Sequence, residues 1–146
     1  MTKRLLSPLR AVLDTSTVVA GFRSPSGASA ELLRLALRGT YEIAASLPVF
    51  LEYEDVLQRE DQRLAHGRSP EQVALFLRLL SSRIIPVEIY FGPQVPDEND
   101  EKIMDAAING AVDAIVTYNL RDFQPAAARY AVRILTPSQF LYEVKS

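Results

Sequence analysis

Short apolar runs separated by segments of helical periodicity are the feature that most constrains the fold of this chain. The runs are rich in Val, Ile, Leu and Ala, and they cover residues 11–13, 41–45, 84–87, 114–117 and 132–135. Buried parallel strands have this composition, and the intervals between them have the periodicity of amphipathic helices. The alternation predicts an α/β fold, namely a three-layer α/β/α domain around a mainly parallel sheet of about five strands.

Helix ends are marked by capping residues and by turn-forming segments. Ser46, Ser69 and Thr136 are predicted N-caps, and the last two belong to capping boxes. Segment 21–27 contains Gly, Pro and Ser and is predicted to be a loop. Pro86 predicts that the third strand lies at or near an edge of the sheet, because proline cannot donate a backbone hydrogen bond. The predicted helices cover about 28–38, 47–59, 70–82, the segment after 96–101 up to about 110, and 137–145.

The length and composition are those of an ordinary globular domain. A chain of 146 residues, 48% hydrophobic and 23% charged, is expected to form one domain over residues 1–146, with 1–9 as a loose lead-in. No apolar run approaches the ~18 residues that a membrane helix needs. The N-terminus has no apolar segment long enough for a signal peptide. We therefore expect a cytoplasmic protein without a membrane partner.

The residue types exclude several kinds of active site. The chain has no cysteine and one histidine, which excludes thiol nucleophiles, cysteine zinc sites and sites with several histidines. His66 is expected to be a solvated loop or helix-end residue. A net charge of -2 indicates that the molecule as a whole does not attract nucleic acid, although a local basic patch remains compatible with it. An enzyme of this composition would depend on carboxylates, hydroxyls, Lys, Arg or a cofactor.

Four acids occupy positions at which an α/β fold presents functional groups. Asp14 directly follows the first strand, and Asp122 follows the fourth. Glu52 lies in the early turns of the second predicted helix, and Asp100 opens a later helix at the centre of its apolar stripe. Strand carboxyl ends and helix amino ends share one edge of such a sheet, so the four acids can converge there. The stripe consists of Ile103, Met104, Ala107, Ile108 and Ala111.

Each acid also has a structural interpretation. Asp14, Asp100 and Asp122 can serve as turn residues or helix caps, and Glu52 can be a solvated helix residue. However, an acid on an inward stripe is unfavourable unless something compensates its charge, and converging carboxylates repel one another. A divalent cation such as Mg²⁺ resolves both problems and works with phosphate substrates. The residues thus indicate metal-assisted phosphoryl chemistry on a carboxylate cluster.

Four short segments contain the candidate acids: VLDTS at 12–16, LEYEDVL at 51–57, DENDEKI at 97–103 and TYNLRDF at 117–123. In order and spacing, these segments resemble the motifs of the PIN domain family, and in particular of its VapC-like toxins from toxin–antitoxin pairs. The resemblance covers about residues 11–135.

The resemblance implies catalytic and metal-binding roles for Asp14, Glu52, Asp100 and Asp122, and it assigns the second motif's acid to Glu52 rather than to Glu54. Two positions depart from the common pattern. Ser16 stands where many members have Asn, and Asn119 stands where close relatives often have Asp, so the fourth acid stays open between Asp122 and Asn119. Supporting roles fall to Ser16, Thr117 and Asn119, and the basic residues that could contact RNA phosphates are Arg23, Lys102 and Arg121.

The function that the resemblance implies is that of an endoribonuclease that uses Mg²⁺ or Mn²⁺ to hydrolyse RNA phosphodiesters. It also implies a homodimer and an antitoxin protein as partner. One alternative is a PIN-fold module that binds RNA or protein without cleaving. Another is an aspartate-nucleophile phosphatase of the haloacid dehalogenase type. That class needs a second Asp two residues after the first, where this chain has Ser16.

Overall fold

A parallel five-stranded sheet is the centre of the computed structural model, which describes residues 8–90 and 98–146. Within these residues the strand order is β3-β2-β1-β4-β5, and every neighbouring pair is parallel. This confirms the predicted α/β class and places β3, with Pro86, at a sheet edge. The strands are β1 (Arg10–Leu13), β2 (Glu42–Ala45), β3 (Ile84–Pro86), β4 (Ala114–Val116) and β5 (Arg133–Leu135).

Helices connect the strands, and the predicted caps start three of them. Ser46 accepts a hydrogen bond from the Val49 N–H, and Ser69 and Thr136 form capping boxes with Gln72 and Gln139. The helices are α1 (Thr15–Arg23), α2 (Ala28–Leu37), α3 (Leu47–Leu57), α4 (Glu60–His66), α5 (Pro70–Ser81), α6 (Glu98–Asn109), α7 (Leu120–Tyr130) and α8 (Pro137–Lys145). Among the helices that the structure describes, none is long and apolar enough to span a membrane.

Helices cover both faces of the sheet. Ala11, Val12 and Leu13 of β1 are all fully buried, and successive strand residues point to opposite faces. Both faces of the central strand are therefore in the core, as expected for a parallel sheet. Helix α6 contacts β1, β2 and β4, whereas α8 contacts β5 and α2.

The strand order creates a switch point between β1 and β4. From β1 the chain proceeds to β2 and β3 on one side, and only then to β4 and β5 on the other side. At such a point the connections leave in opposite directions, and a crevice opens beyond the strand carboxyl ends. The residues that follow β1 and β4 are Asp14 and Thr117, so both lie at this crevice.

The predicted loop over 21–27 is wrong in its first half, because α1 continues to Arg23. Gly21 lies inside that helix and is buried. A Cβ atom at this position would lie 2.7 Å from Leu33 Cδ1 and 2.8 Å from the Ser29 carbonyl oxygen of α2. The glycine therefore permits close packing of α1 against α2, a role that local sequence does not distinguish from a turn.

Other local predictions also differ from the structure. Helices α1, α4 and α7 were not predicted. Helix α1 begins in a segment rich in Thr and Val, which favour strands, α4 is a short polar helix without a fully buried residue, and α7 contains Pro125. Helix α6 ends at Asn109, so Ala111 does not belong to its stripe; this residue is exposed and has a positive φ of 50°. His66 does end a helix, as predicted, but its ring packs edge-on against Phe22 at 4.9 Å.

Candidate active site

Asp14 and Thr117 meet at the switch point because β1 and β4 are paired in register. Leu13 lies opposite Val116, and the Asp14 N–H donates to the Val116 carbonyl at 2.9 Å. One residue further on, the Thr117 hydroxyl donates to Asp14 Oδ2 at 2.7 Å. The sheet itself therefore places the first motif next to the fourth.

Three donors hold the Asp14 carboxylate. Besides Thr117, the Thr15 N–H donates to Oδ1 at 2.9 Å and the Ser16 hydroxyl donates to Oδ2 at 3.1 Å. Asp14 is thus the N-cap of α1, where the helix dipole also favours negative charge. Burial nevertheless raises the pKa of Asp14 above its ordinary value, and the charge of Glu52 contributes to the increase. The protein's own donors therefore leave part of this charge uncompensated, which is a condition that a cation relieves.

Glu52 of α3 is connected to the same site through Thr15. The Thr15 hydroxyl donates to Glu52 Oε2 at 2.5 Å, and the neighbouring Thr15 N–H binds Asp14. The Glu52 side chain is only 14% exposed, whereas Glu54, two residues later, is exposed. The geometry thus places Glu52, and not Glu54, beside Asp14.

A buried tyrosine that the motif analysis did not single out holds α3 in this position. The Tyr53 hydroxyl donates to the Leu13 carbonyl at 2.5 Å, on the residue before Asp14. Burial, followed by the charge of Asp14, raises the pKa of Tyr53 well above its ordinary value, so the hydroxyl stays protonated as a donor. The available signal was that a tyrosine on a predicted buried face needs a partner for its hydroxyl.

The amino end of α6 approaches the site through Lys102. Its ammonium lies 3.4 Å from Glu52 Oε1, and α3 and α6 are in contact. Asp100 is in the first turn of α6 and is partly buried. Residue 97 of the third motif lies outside the described residues.

Asn119 and Asp122 lie together in an open groove beyond β4. The groove has a volume of about 550 Å³ and is lined by residues 118–122 and Gln124. The Asn119 N–H donates to the Thr117 hydroxyl oxygen at 2.9 Å, which connects its backbone to Asp14 through one side chain. Asn119 is the N-cap residue of α7, but its side chain makes no capping hydrogen bond, and Asp122 is exposed in the first turn of α7.

The structure brings Asp14 and Glu52 together but does not assemble all four acids. Across residues 8–90 and 98–146, no three His, Asp or Glu side chains form a group that could hold a metal ion. The available donors are carboxylate, hydroxyl and amide oxygens, which are the ligands of hard cations such as Mg²⁺ and Mn²⁺. The chemistry of these donors and the uncompensated Asp14 charge thus fit a divalent cation of this class.

The three predicted phosphate contacts have different positions. Lys102 lies beside Glu52, and Arg121 is an exposed residue of the groove beyond β4. Arg23 is exposed at the last residue of α1. At 1.5 Å per residue it lies about 13 Å along the helix from Asp14, so only the first two are near the carboxylates.

A comparison with protein-family models agrees with this arrangement: the model for the PIN domain matches residues 10–121. The chain belongs to the PIN domain family. The matched segment runs from β1 through Arg121 and includes Asp14, Glu52 and Asp100. The predicted family resemblance is therefore confirmed.

Solved structures provide an independent comparison of the fold. The PIN domain is similar to a chain in the crystal structure of VapBC2 from Rickettsia felis bound to a DNA fragment from their promoter. The TM-score is 0.60 at 17% sequence identity, and the alignment covers 88% of this chain and 98% of the other. At this identity the likeness concerns the fold. No curated protein matches the chain.

Proposed function

We propose that this PIN domain is an endoribonuclease that depends on Mg²⁺ or Mn²⁺ and acts as the toxin of a toxin–antitoxin pair. The observation that carries the proposal is the Asp14 carboxylate at the switch point. Three donors orient it, burial raises its pKa, and Glu52 is joined to it through Thr15. Buried carboxylates with a perturbed pKa are typical of functional sites.

Asp14 and Glu52 would hold the cation, with Asp100 and Asp122 as further ligands. When bound, such an ion lowers the pKa of a coordinated water and stabilises the charge that develops on the phosphate. The hydroxyls of Thr117 and Ser16 keep the Asp14 carboxylate in one orientation. The carboxylate therefore needs little rotation when the cation binds.

Lys102 and Arg121 are the basic side chains that would receive the RNA backbone. The Lys102 ammonium is held beside the carboxylates by Glu52. Arg121 lines the groove beyond β4. Phosphates of a strand that crosses the carboxylates could contact both cations.

A groove beside Glu52 supports the antitoxin partner. It has a volume of about 510 Å³ and is lined by apolar and charged side chains, namely Leu47, Pro48, Leu51 and Val56 with Glu52, Asp55, Arg59 and Lys102. Leu47 is 67% exposed and Leu51 is 49% exposed. Exposed leucines around a concave surface are typical of a protein-binding site. The proposed homodimer and the proposed antitoxin each require such a surface.

The function is tested by cleavage of labelled single-stranded RNA with Mg²⁺ or Mn²⁺ and with EDTA. We expect cleavage only with metal, and we expect Asp14→Asn and Glu52→Gln to lose more than 100-fold in rate, as losses of catalytic electrostatics do. Glu54→Gln is the matched control, because Glu54 is on the same helix but exposed. It should cleave as wild type does.

Three other outcomes would contradict the proposal. RNA binding without cleavage in either metal would indicate the non-cleaving module. Cleavage that persists in Asp14→Asn would refute the site. Equal losses in Glu52→Gln and Glu54→Gln would show that α3 is perturbed as a whole and would refute the specific role of Glu52.

A further inference from the structure

Tyr118 is an aromatic residue at the site to which the proposed mechanism gives no role. It lies between Thr117, whose hydroxyl binds Asp14, and Asn119, whose N–H binds Thr117. Its side chain is 52% exposed, and it lines the groove beyond β4 with Arg121. A large aromatic surface is therefore open to solvent one residue from the carboxylate site.

The ring is fixed at both ends. Its backbone follows β4, and its hydroxyl is within 2.6 Å of the Ser29 hydroxyl. Ser29 is a buried residue in the first turn of α2, next to the close α1–α2 contact at Gly21. A tyrosine anchored in this way presents its face with little remaining conformational freedom to lose on binding.

An anchored, half-exposed ring beside an arginine matches the chemistry of a nucleotide unit. The face of an aromatic ring stacks on any base, whatever the sequence. A basic side chain nearby binds the phosphate of the same strand. Single-stranded RNA presents unstacked bases for such contacts, whereas a duplex does not. Arg121 and Asn119 line the same groove as the ring and supply a cation and an amide at its rim.

From this geometry we infer that Tyr118 is a substrate-binding residue that stacks on one base of single-stranded RNA and so positions the adjoining phosphodiester at the carboxylates. This inference rests on the proposed function and adds to it a residue that positions the substrate. Arg121 binds the phosphate next to the stacked base. The hydroxyl of Tyr118 contributes only the anchor to Ser29.

The test measures binding of a fluorescein-labelled, mixed-sequence 12-nucleotide RNA by anisotropy in EDTA, and cleavage of the same RNA with Mg²⁺. Tyr118→Ala should weaken binding about 5- to 150-fold, the range for loss of one aromatic–base stack, and should raise KM more than it lowers kcat. Tyr118→Phe keeps the ring and loses only the anchor to Ser29, so it should bind more weakly than wild type but more tightly than Tyr118→Ala. Tyr142→Ala is the matched control, since Tyr142 is 78% exposed but lies on α8. This variant should have the Kd, KM and kcat of wild type.

Two further measurements separate stacking from a structural effect. A 12-mer whose sugars carry no bases should bind wild type and Tyr118→Ala equally. The chain has no tryptophan, so Tyr118→Trp introduces a single reporter whose fluorescence should be quenched when the base-containing RNA binds. Equal weakening of both oligonucleotides by Tyr118→Ala, or an unquenched tryptophan, would overturn the inference.

The outcomes also separate this inference from the proposed function. If wild type cleaves RNA in an Asp14-dependent manner and Tyr118→Ala has the same Kd and KM, the function stands and the stacking role is refuted. If duplex RNA binds as tightly as the single strand, the substrate class is wrong. If wild type neither binds nor cleaves RNA, both proposals fail together.

Discussion

Replacing Asp14 by Asn, in the absence of metal, tests the central electrostatic claim about the site. Burial raises the pKa of Asp14 although three donors hold its carboxylate. The ionised form is therefore less favourable in the folded chain than in the unfolded chain. For each pKa unit by which Asp14 titrates higher in the folded chain than in the unfolded chain, the free energy of unfolding at neutral pH is lower by about 1.4 kcal/mol.

The sign of the pH dependence follows from this increase. A carboxyl group whose pKa is raised binds more protons in the folded state, so its contribution to stability is lost as pH rises from the unfolded to the folded pKa. Asn has no such titration. We therefore compare the two proteins at each pH with EDTA present. The melting temperature of Asp14→Asn minus that of wild type should be larger at pH 7 than at pH 4.

A second variant, Asp14→Ala, separates the charge from the hydrogen bonds. Asn keeps an amide oxygen for the Thr15 N–H and is about as good an N-cap as Asp, whereas Ala loses about 1 kcal/mol of capping energy. The Thr117 hydroxyl donates to the other carboxylate oxygen and loses this acceptor in both variants, so its loss cancels when the two variants are compared. For a domain of 146 residues, about 1 kcal/mol corresponds to about 3 °C. Ala should therefore melt about 3 °C below Asn at every pH.

Thermal unfolding followed by circular dichroism or calorimetry, with EDTA and then with Mn²⁺, measures these differences. Metal at 100 times its Kd adds about 2.7 kcal/mol, or about 8 °C here, to wild type only. A difference in melting temperature between Asp14→Asn and wild type that does not grow from pH 4 to pH 7 would refute the raised pKa of Asp14 as a cause of instability. A metal-induced rise that persists in both variants would refute Asp14 as a ligand.

Further predictions concern the scaffold around the site. Tyr53→Phe leaves the buried Leu13 carbonyl without its donor and should lower the free energy of unfolding by about 1–3 kcal/mol in urea titrations; a loss below about 0.5 kcal/mol would contradict the role of this bond. Gly21→Ala should destabilise by about 1–3 kcal/mol despite the better helix propensity of Ala, because its Cβ meets Leu33 and Ser29; a higher melting temperature would show that α1 and α2 can separate without cost.

Much of the fold could be predicted because burial leaves a local record in the sequence. Short Val- and Ile-rich runs marked the strands, and the capping boxes at Ser69 and Thr136 marked two helix starts. Where that record is weak, prediction failed. Helix α4 has no fully buried residue. Gly21 begins a segment whose Gly, Pro and Ser residues predict a turn, although this glycine serves the packing of two helices.

The candidate site was predictable as a set of residues but not as a geometry. Motif order selected Asp14, Glu52, Asp100 and Asp122, and the roles of all four remain predictions. The structure joins Asp14 to Glu52 through Thr15. It also shows two positioning side chains, Tyr53 and Thr117, whose partners lie 40 and 103 residues away in the chain.

The sequence by itself determined the α/β class, most element positions and the family of this protein, because periodicity and motif spacing depend on neighbouring residues. Only the tertiary structure decided that β1 and β4 are adjacent, since strand order depends on which distant segments pair. That adjacency creates the switch point, brings Thr117 to Asp14 and directs Tyr118 towards Ser29. Contacts between residues so far apart follow from the packing of the whole sheet, and no local pattern records them.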